Sequence, residues 1–270
     1  MMNFKKGTIF KRDREDDILA EDGKGGGILA VWGSPSSGKT LVSVKLAYHL
    51  AKKKKNVLLI LADMTAPPLP CICPPSELEG EKSLGSILVA AHVTGNLIKK
   101  NCIFHRKLPY LSMAGMMKGE NVFTYPPYEE IQAAELFREA RRLAPYVVID
   151  CGSSIASDIL SAVALMEADT VLRLVNCDLK SISYLSSQLP LLADHKWEAD
   201  KQLKVANNIK EQEASSHMEQ VLGNVSFKLP HSRELEGQVL SGELFADLEL
   251  KESRGFRKEL ERISREVFGV

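Results

Sequence analysis

The chain alternates between short, wholly apolar runs and longer stretches with helical spacing. Ile28-Leu29-Ala30-Val31-Trp32 and Val57-Leu58-Leu59-Ile60-Leu61 carry no charged or hydroxylic position, the pattern of parallel strands covered on both faces. Between them Val42, Leu46 and Leu50 recur at helical spacing, with Ala47 and Ala51 beside them. Lys52 to Lys55 follow where that helix should end. Positive charge suits a helix C-terminus, so the run reads as a solvated helix end rather than a nucleic-acid patch. Strand, helix and strand in about 35 residues make a βαβ unit.

More strand-like runs follow at Tyr110 to Met113, Tyr146 to Ile149, Val171 to Val175, Leu203 to Ala206 and Val225 to Leu229. Helical patterns separate most of them, notably Glu129 to Leu143, Ser181 to Ala193 and Phe256 to Phe268. The expected fold class is α/β: a doubly wound, mostly parallel sheet with helices on both faces. The last helix puts Phe256, Leu260, Ile263 and Val267 on one side. Its mixed charges on the other side favour packing on the sheet over lying on a membrane.

Composition narrows the class. The 270 residues include 35 basic and 35 acidic side chains, a formal net charge of zero that argues against a dominant polyanion-binding surface. No apolar run approaches the roughly 18 residues a spanning helix needs, and a cytoplasmic location is expected. Five cysteines suggest reduced thiols, and Cys71-x-Cys73 lacks the second close pair of a structural metal site. Residues 1–26, with the glycine hinge around Lys24, read as a flexible extension, and 27–270 as the folded domain.

Candidate chemistry begins between the first strand and the first helix. Gly33-Ser34-Pro35-Ser36-Ser37-Gly38-Lys39-Thr40 fits G-x-x-x-x-G-K-[ST] in its required setting, after a strand and opening a helix. Backbone N–H groups of such a loop, continuing to Leu41, face phosphate oxygens, and the glycines allow close approach. Lys39 would reach the β- and γ-phosphates of ATP, and the Thr40 hydroxyl would take a Mg²⁺ position. Asp63 and Asp150 end two strands, where the ligand crevice of a parallel sheet opens. Asp150, followed by Cys151-Gly152, fits a role in the Mg²⁺ shell, and Asp63 that of orienting or deprotonating water.

On these residues the sequence resembles the ParA/MinD group of ATPases, including the pilus-positioning TadZ/CpaE proteins. The resemblance spans about residues 27–268. It includes Gly33 to Thr40, Asp63, Tyr146 to Asp150 with Gly152, and the stretch Phe227-Lys228-Leu229-Pro230-His231-Ser232-Arg233-Glu234-Leu235. It implies a P-loop NTPase fold of the SIMIBI type, ATP and Mg²⁺ as ligands, and a homodimer as the working form. It also implies that Asn207, or Asn208 if the register slips by one, contacts the adenine, with the Pro230 loop beside it. One departure stands out: where relatives carry a second lysine after the first glycine, this chain has Ser34. A missing cation at the phosphates implies slow hydrolysis and weakened ATP control of dimerisation.

Bacterial tyrosine kinases of capsule synthesis are similar at Asp63-Met64-Thr65-Ala66-Pro67, but they end in a tyrosine-rich tail, and the last tyrosine here is Tyr184. The expected function is therefore a weakly hydrolysing switch that positions or partitions a macromolecular cargo. A kinase and a non-hydrolysing dimeric scaffold are the alternatives. The cargo is an unidentified protein or machine; DNA is disfavoured by the neutral charge, and peripheral membrane contact stays open. Met113 to Met117 and Tyr125-Pro126-Pro127-Tyr128 form either a partner surface or core filling.

Overall fold

The apolar runs pair edge to edge into a nine-stranded sheet, seen in a computed structural model that describes residues 25–79, 82–210 and 223–270. The strands are β1 (Gly27–Gly33), β2 (Val57–Leu61), β3 (Leu78–Glu79), β4 (Ile103–His105), β5 (Leu111–Ala114), β6 (Tyr146–Asp150), β7 (Thr170–Asn176), β8 (Gln202–Ile209) and β9 (Phe227–Pro230). They lie in the order β3-β4-β5-β2-β6-β1-β7-β8-β9. All neighbours from β5 to β9 are parallel, and only β3–β4 and β4–β5 are antiparallel.

Helices connect them: α1 (Lys39–Lys52), α2 (Leu69–Ile72), α3 (Leu84–Leu88), α4 (Gly95–Asn101), α5 (Glu130–Leu143), α6 (Ile159–Glu167), α7 (Leu179–Gln188), α8 (Arg233–Ser241) and α9 (Arg254–Phe268). The strand period of two sorts side chains into two cores. From β1, Ile28, Ala30 and Trp32 join the residues of α5 and α6, while Leu29 and Val31 join those of α1 and α9. The α9 side chains Phe256, Leu260, Ile263 and Phe268 are buried, so its apolar face is spent inside the molecule. Among the described residues no helix is long and apolar enough to cross a membrane.

Local signals explain several boundaries. Glu129 and Gln132 cap α5 reciprocally, which starts that helix where the sequence suggests. The expected helix Ser181 to Ala193 instead begins at Leu179, capped by Asp178, and stops at Gln188. Pro190 lacks the N–H that would continue the helical hydrogen bonds, and only a short 3₁₀ turn, Leu191–Ala193, follows. The last strand begins at Phe227 rather than Val225, beside an irregularity in β8 between Ala206 and Ile209. Strands β3 and β4 escape a sequence reading because two or three residues show no period. Met113 and Met116 are fully buried, which makes this methionine segment core filling. The Lys24 position lies outside the described residues.

Candidate nucleotide site

The parallel strands put the ends of β1, β2, β6, β7 and β8 at one edge of the sheet, and the glycine loop crosses that edge. Its backbone is tightly specified. Gly33 lies against β7 so closely that a Cβ would sit 2.0 Å from the Leu174 carbonyl oxygen. Gly38, with φ 83°, leads into α1, and a Cβ there would sit 2.3 Å from the Asn207 amide nitrogen. Ser36 holds a left-handed φ of 61° without being glycine.

Two asparagines secure this turn. Asn176, the last residue of β7, and Asn207, near the end of β8, are register partners. Their amides donate to the carbonyls of Ser36 at 3.0 Å and Ser37 at 2.7 Å. The sequence assigns Asn207 a base contact and gives Asn176 no role; the matched position of two asparagines on neighbouring strands is the available signal.

Lys39 is buried at the start of α1, and its ammonium donates to the Ser34 carbonyl at 3.2 Å and the Ser153 hydroxyl at 2.6 Å. Burial pulls its pKa below the ordinary lysine value, against the opposing charges of Asp150 and Asp63. Next to it the Thr40 hydroxyl donates to Asp150 Oδ2 at 2.7 Å, and Ser43 donates to Asp150 Oδ1 at 3.3 Å. Ser43, one turn after Thr40 on the same helix face, is a second contact that sequence reasoning misses. Burial raises the Asp150 carboxyl to about 7, with the Thr40 hydrogen bond opposing.

Asp63 lies just beyond β2, where its Oδ1 accepts the N–H groups of Thr65 at 3.0 Å and Ala66 at 2.8 Å. Gly152 follows Asp150 and Cys151, and its N–H donates to the Ser161 hydroxyl at 2.8 Å. A Cβ on Gly152 would sit 2.5 Å from Asp158 Oδ2. Ser34, in the place of the relatives' second lysine, is fully buried and donates its hydroxyl to Ser181 of α7 at 3.0 Å.

Beside the loop opens a cavity of about 450 Å³. Ser36, Ser37, Gly38, Leu41, Asn207 and Pro230 line it, with Asn208, His231 and the α8 residues Leu235 and Val239. Asn208, at φ 56°, is fixed by a 2.7 Å hydrogen bond between its Oδ1 and His231 Nδ1. The cavity brings together Asn207 and Pro230, while Lys39, Asp150 and Asp63 are not among its lining residues. Pro35 likewise belongs to the loop but not to the cavity lining.

These groups fit the ligands that such a loop implies. The buried Lys39 ammonium and the N-terminus of α1 suit phosphate oxygens. A hydroxyl paired with a single carboxylate suits Mg²⁺, which keeps several waters and phosphate oxygens in its shell. Among the described residues no cluster of three or more His, Cys, Asp or Glu offers a competing all-protein metal cage.

Fold and site together define a P-loop nucleotide-binding protein of the ParA/MinD type. The profile of the AAA_31 family, described as an AAA domain, matches residues 33–205, and the chain belongs to that family. Solved structures share the fold at low identity. The septum site-determining protein MinD from Pyrococcus horikoshii OT3, complexed with Mg-ADP, superposes with a TM-score of 0.66 at 13% identity, over 89% of this chain and 95% of its own. A ParA family ATPase from Chlorobium tepidum TLS reaches 0.72 at 17% identity, over 88% and 98%. The ATP complex of a singly substituted Cyanothece McdA reaches 0.64 at 14% identity, over 91% and 97%. Among curated proteins no sequence match reaches significance.

Proposed function

We propose that the chain binds ATP with Mg²⁺, hydrolyses it slowly, and works as a nucleotide-dependent dimeric switch that positions or partitions a macromolecular cargo. One observation carries this reading. At a single edge of the sheet stand the buried Lys39 ammonium, the Thr40–Asp150 pair and, beside the loop, a cavity wide enough for a nucleoside. The MinD and McdA structures named above hold Mg-ADP and ATP, which supports the same ligands here.

The residues divide the work. The loop N–H groups and the α1 N-terminus bind the phosphate chain, and Lys39 neutralises charge that develops on it. Mg²⁺, when bound, adds Lewis-acid stabilisation at the same oxygens. The Thr40 hydroxyl oxygen and Asp150, as its carboxylate, would hold it. Asp63 orients or deprotonates water. Asn207, with Asn208 as the alternative contact, and Pro230 hold the base.

Ser34 supports slow turnover, because its short side chain is locked on Ser181 and supplies no positive charge. The dimeric state, an unidentified protein cargo, a cytoplasmic location and a separate N-terminal segment complete the proposal. Nothing favours the kinase, since the hydroxyl of the last tyrosine, Tyr184, is engaged with the Ser153 carbonyl.

The test is sedimentation velocity and phosphate release with ATP, ADP or no nucleotide, for the wild type and Lys39→Ala, with and without DNA or lipid vesicles. ATP-dependent dimers with slow turnover are expected. A constant dimer indifferent to nucleotide would replace the switch with a scaffold.

A further inference from the structure

A lysine ammonium has three N–H donors. Two of those on Lys39 are already engaged, by the Ser34 carbonyl and the Ser153 hydroxyl. A diphosphate needs one donor, whereas bridging the β- and γ-phosphates needs two. ADP can therefore bind with both protein bonds intact. ATP must break one.

Ser34 is the partner that stays. Its carbonyl belongs to the loop, its N–H donates to the Leu174 carbonyl at 3.3 Å, and its side chain is tied to Ser181. Ser153 is half-buried on the segment after β6 and is the partner that yields. Its own carbonyl accepts the indole N–H of Trp32 at 3.1 Å and the hydroxyl of Tyr184. Trp32 is wholly buried in β1, and its ring lies 6.2 Å from that of Tyr184 on α7. Whatever moves Ser153 thus disturbs an indole and a helix together.

We infer that Ser153 is a positioning residue that discriminates triphosphate from diphosphate. It holds Lys39 when no γ-phosphate is present, releases it when one arrives, and passes the change through its carbonyl to Trp32 and α7. The inference rests on the nucleotide reading above.

The experiment uses the full chain with Mg²⁺, a non-hydrolysable ATP analogue and ADP. Affinities are measured by calorimetry, and Trp32 emission is read in a Trp197→Phe background, which leaves one of the two tryptophans. The analogue should shift Trp32 emission and ADP should leave it unchanged. Ser153→Ala removes the bond that only a triphosphate must break, so the triphosphate-to-diphosphate affinity ratio should rise about five- to tenfold. Ser153→Thr, which keeps the hydroxyl, should restore the wild-type ratio.

The inference is overturned by an analogue that binds without changing Trp32, by an equal change with ADP, or by an unaltered ratio in Ser153→Ala. If calorimetry detects neither nucleotide, the nucleotide reading fails and takes this inference with it. Should Trp197→Phe not fold, the difference in emission between the two nucleotides in the unsubstituted protein decides the same question.

Discussion

The phosphate end and the base end of the candidate site are built in different ways. The phosphate end is nearly contiguous in sequence: Gly33 to Ser43 supply everything except Asp150, Ser153 and Asp63. Lys39 and Asp150 are buried and bonded within the site, as Lys39 to Ser153 and Thr40 to Asp150. The base end draws on Asn176, Asn207, Asn208, Pro230, His231 and α8, and its rim carries the exposed apolar side chains of Val239 and Leu240. The first is a stiff charge-handling device whose parts restrain each other. The second is an open wall assembled from distant segments, where one side chain can change with less consequence.

On that contrast, the largest effect belongs to Lys39→Ala. The substitution should weaken ATP binding by about a hundredfold or more, the scale of losing a buried charge-assisted contact to phosphate. Calorimetry beside a thermal melt checks it, because a fold-level defect would show in the melt.

Asp150→Asn comes next and should act in two directions. The Asp150 carboxyl sits at about 7, above its ordinary value near 4. The folded chain therefore keeps this proton to higher pH than the unfolded chain does. Its contribution to stability is greatest below about pH 4 and is lost as pH rises through 7. Asn mimics the neutral acid, so nucleotide-free Asp150→Asn should gain about 4 kcal/mol at pH 8 and about 1.5 kcal/mol at pH 5. The same variant should lose Mg²⁺-dependent nucleotide binding. Melts at the two pH values and a Mg²⁺ titration read both; equal stabilisation at pH 5 and 8 would contradict the burial argument.

At the base end, Asn207→Ala removes one carbonyl clamp and should reduce ATP affinity about tenfold, with a stability loss of about 1 kcal/mol. Leu240→Ser, on the exposed rim, should change stability by less than about 0.5 kcal/mol and alter affinity little. Calorimetry and melts on both variants read these effects. A rim variant as damaging as Lys39→Ala would erase the distinction between the two ends.

The same contrast accounts for what can be read in advance. The loop, its flanking strand and helix, Asp63 just beyond β2 and Asp150 at the end of β6 all lie in short windows with a physical signature, so their placement follows from local sequence. Ser43, a lone serine in a helix, carries no pattern of its own, and Asn176 gives a signal only beside Asn207, through their matched positions on neighbouring strands. Ser153 is visible only as a residue of the segment after Asp150; nothing local pairs it with a lysine 114 positions earlier. The antiparallel edge of β3 and β4 is hidden for a related reason. Two- and three-residue strands are stabilised by neighbours across the sheet rather than by any periodicity.

What the sequence by itself determined is the phosphate loop and the alternation of buried strands and amphipathic helices. Both depend on interactions between residues a few positions apart, where backbone geometry fixes the spacing. What only the tertiary structure decided is the state of each group within the loop. Ser34 faces inward to Ser181, two Lys39 donors are already committed, and Asn176 and Asn207 meet because β7 and β8 run in register. The Ser34–Ser181 and Lys39–Ser153 contacts join segments more than a hundred residues apart, and burial, which sets their strength, exists only once the sheet has closed around them.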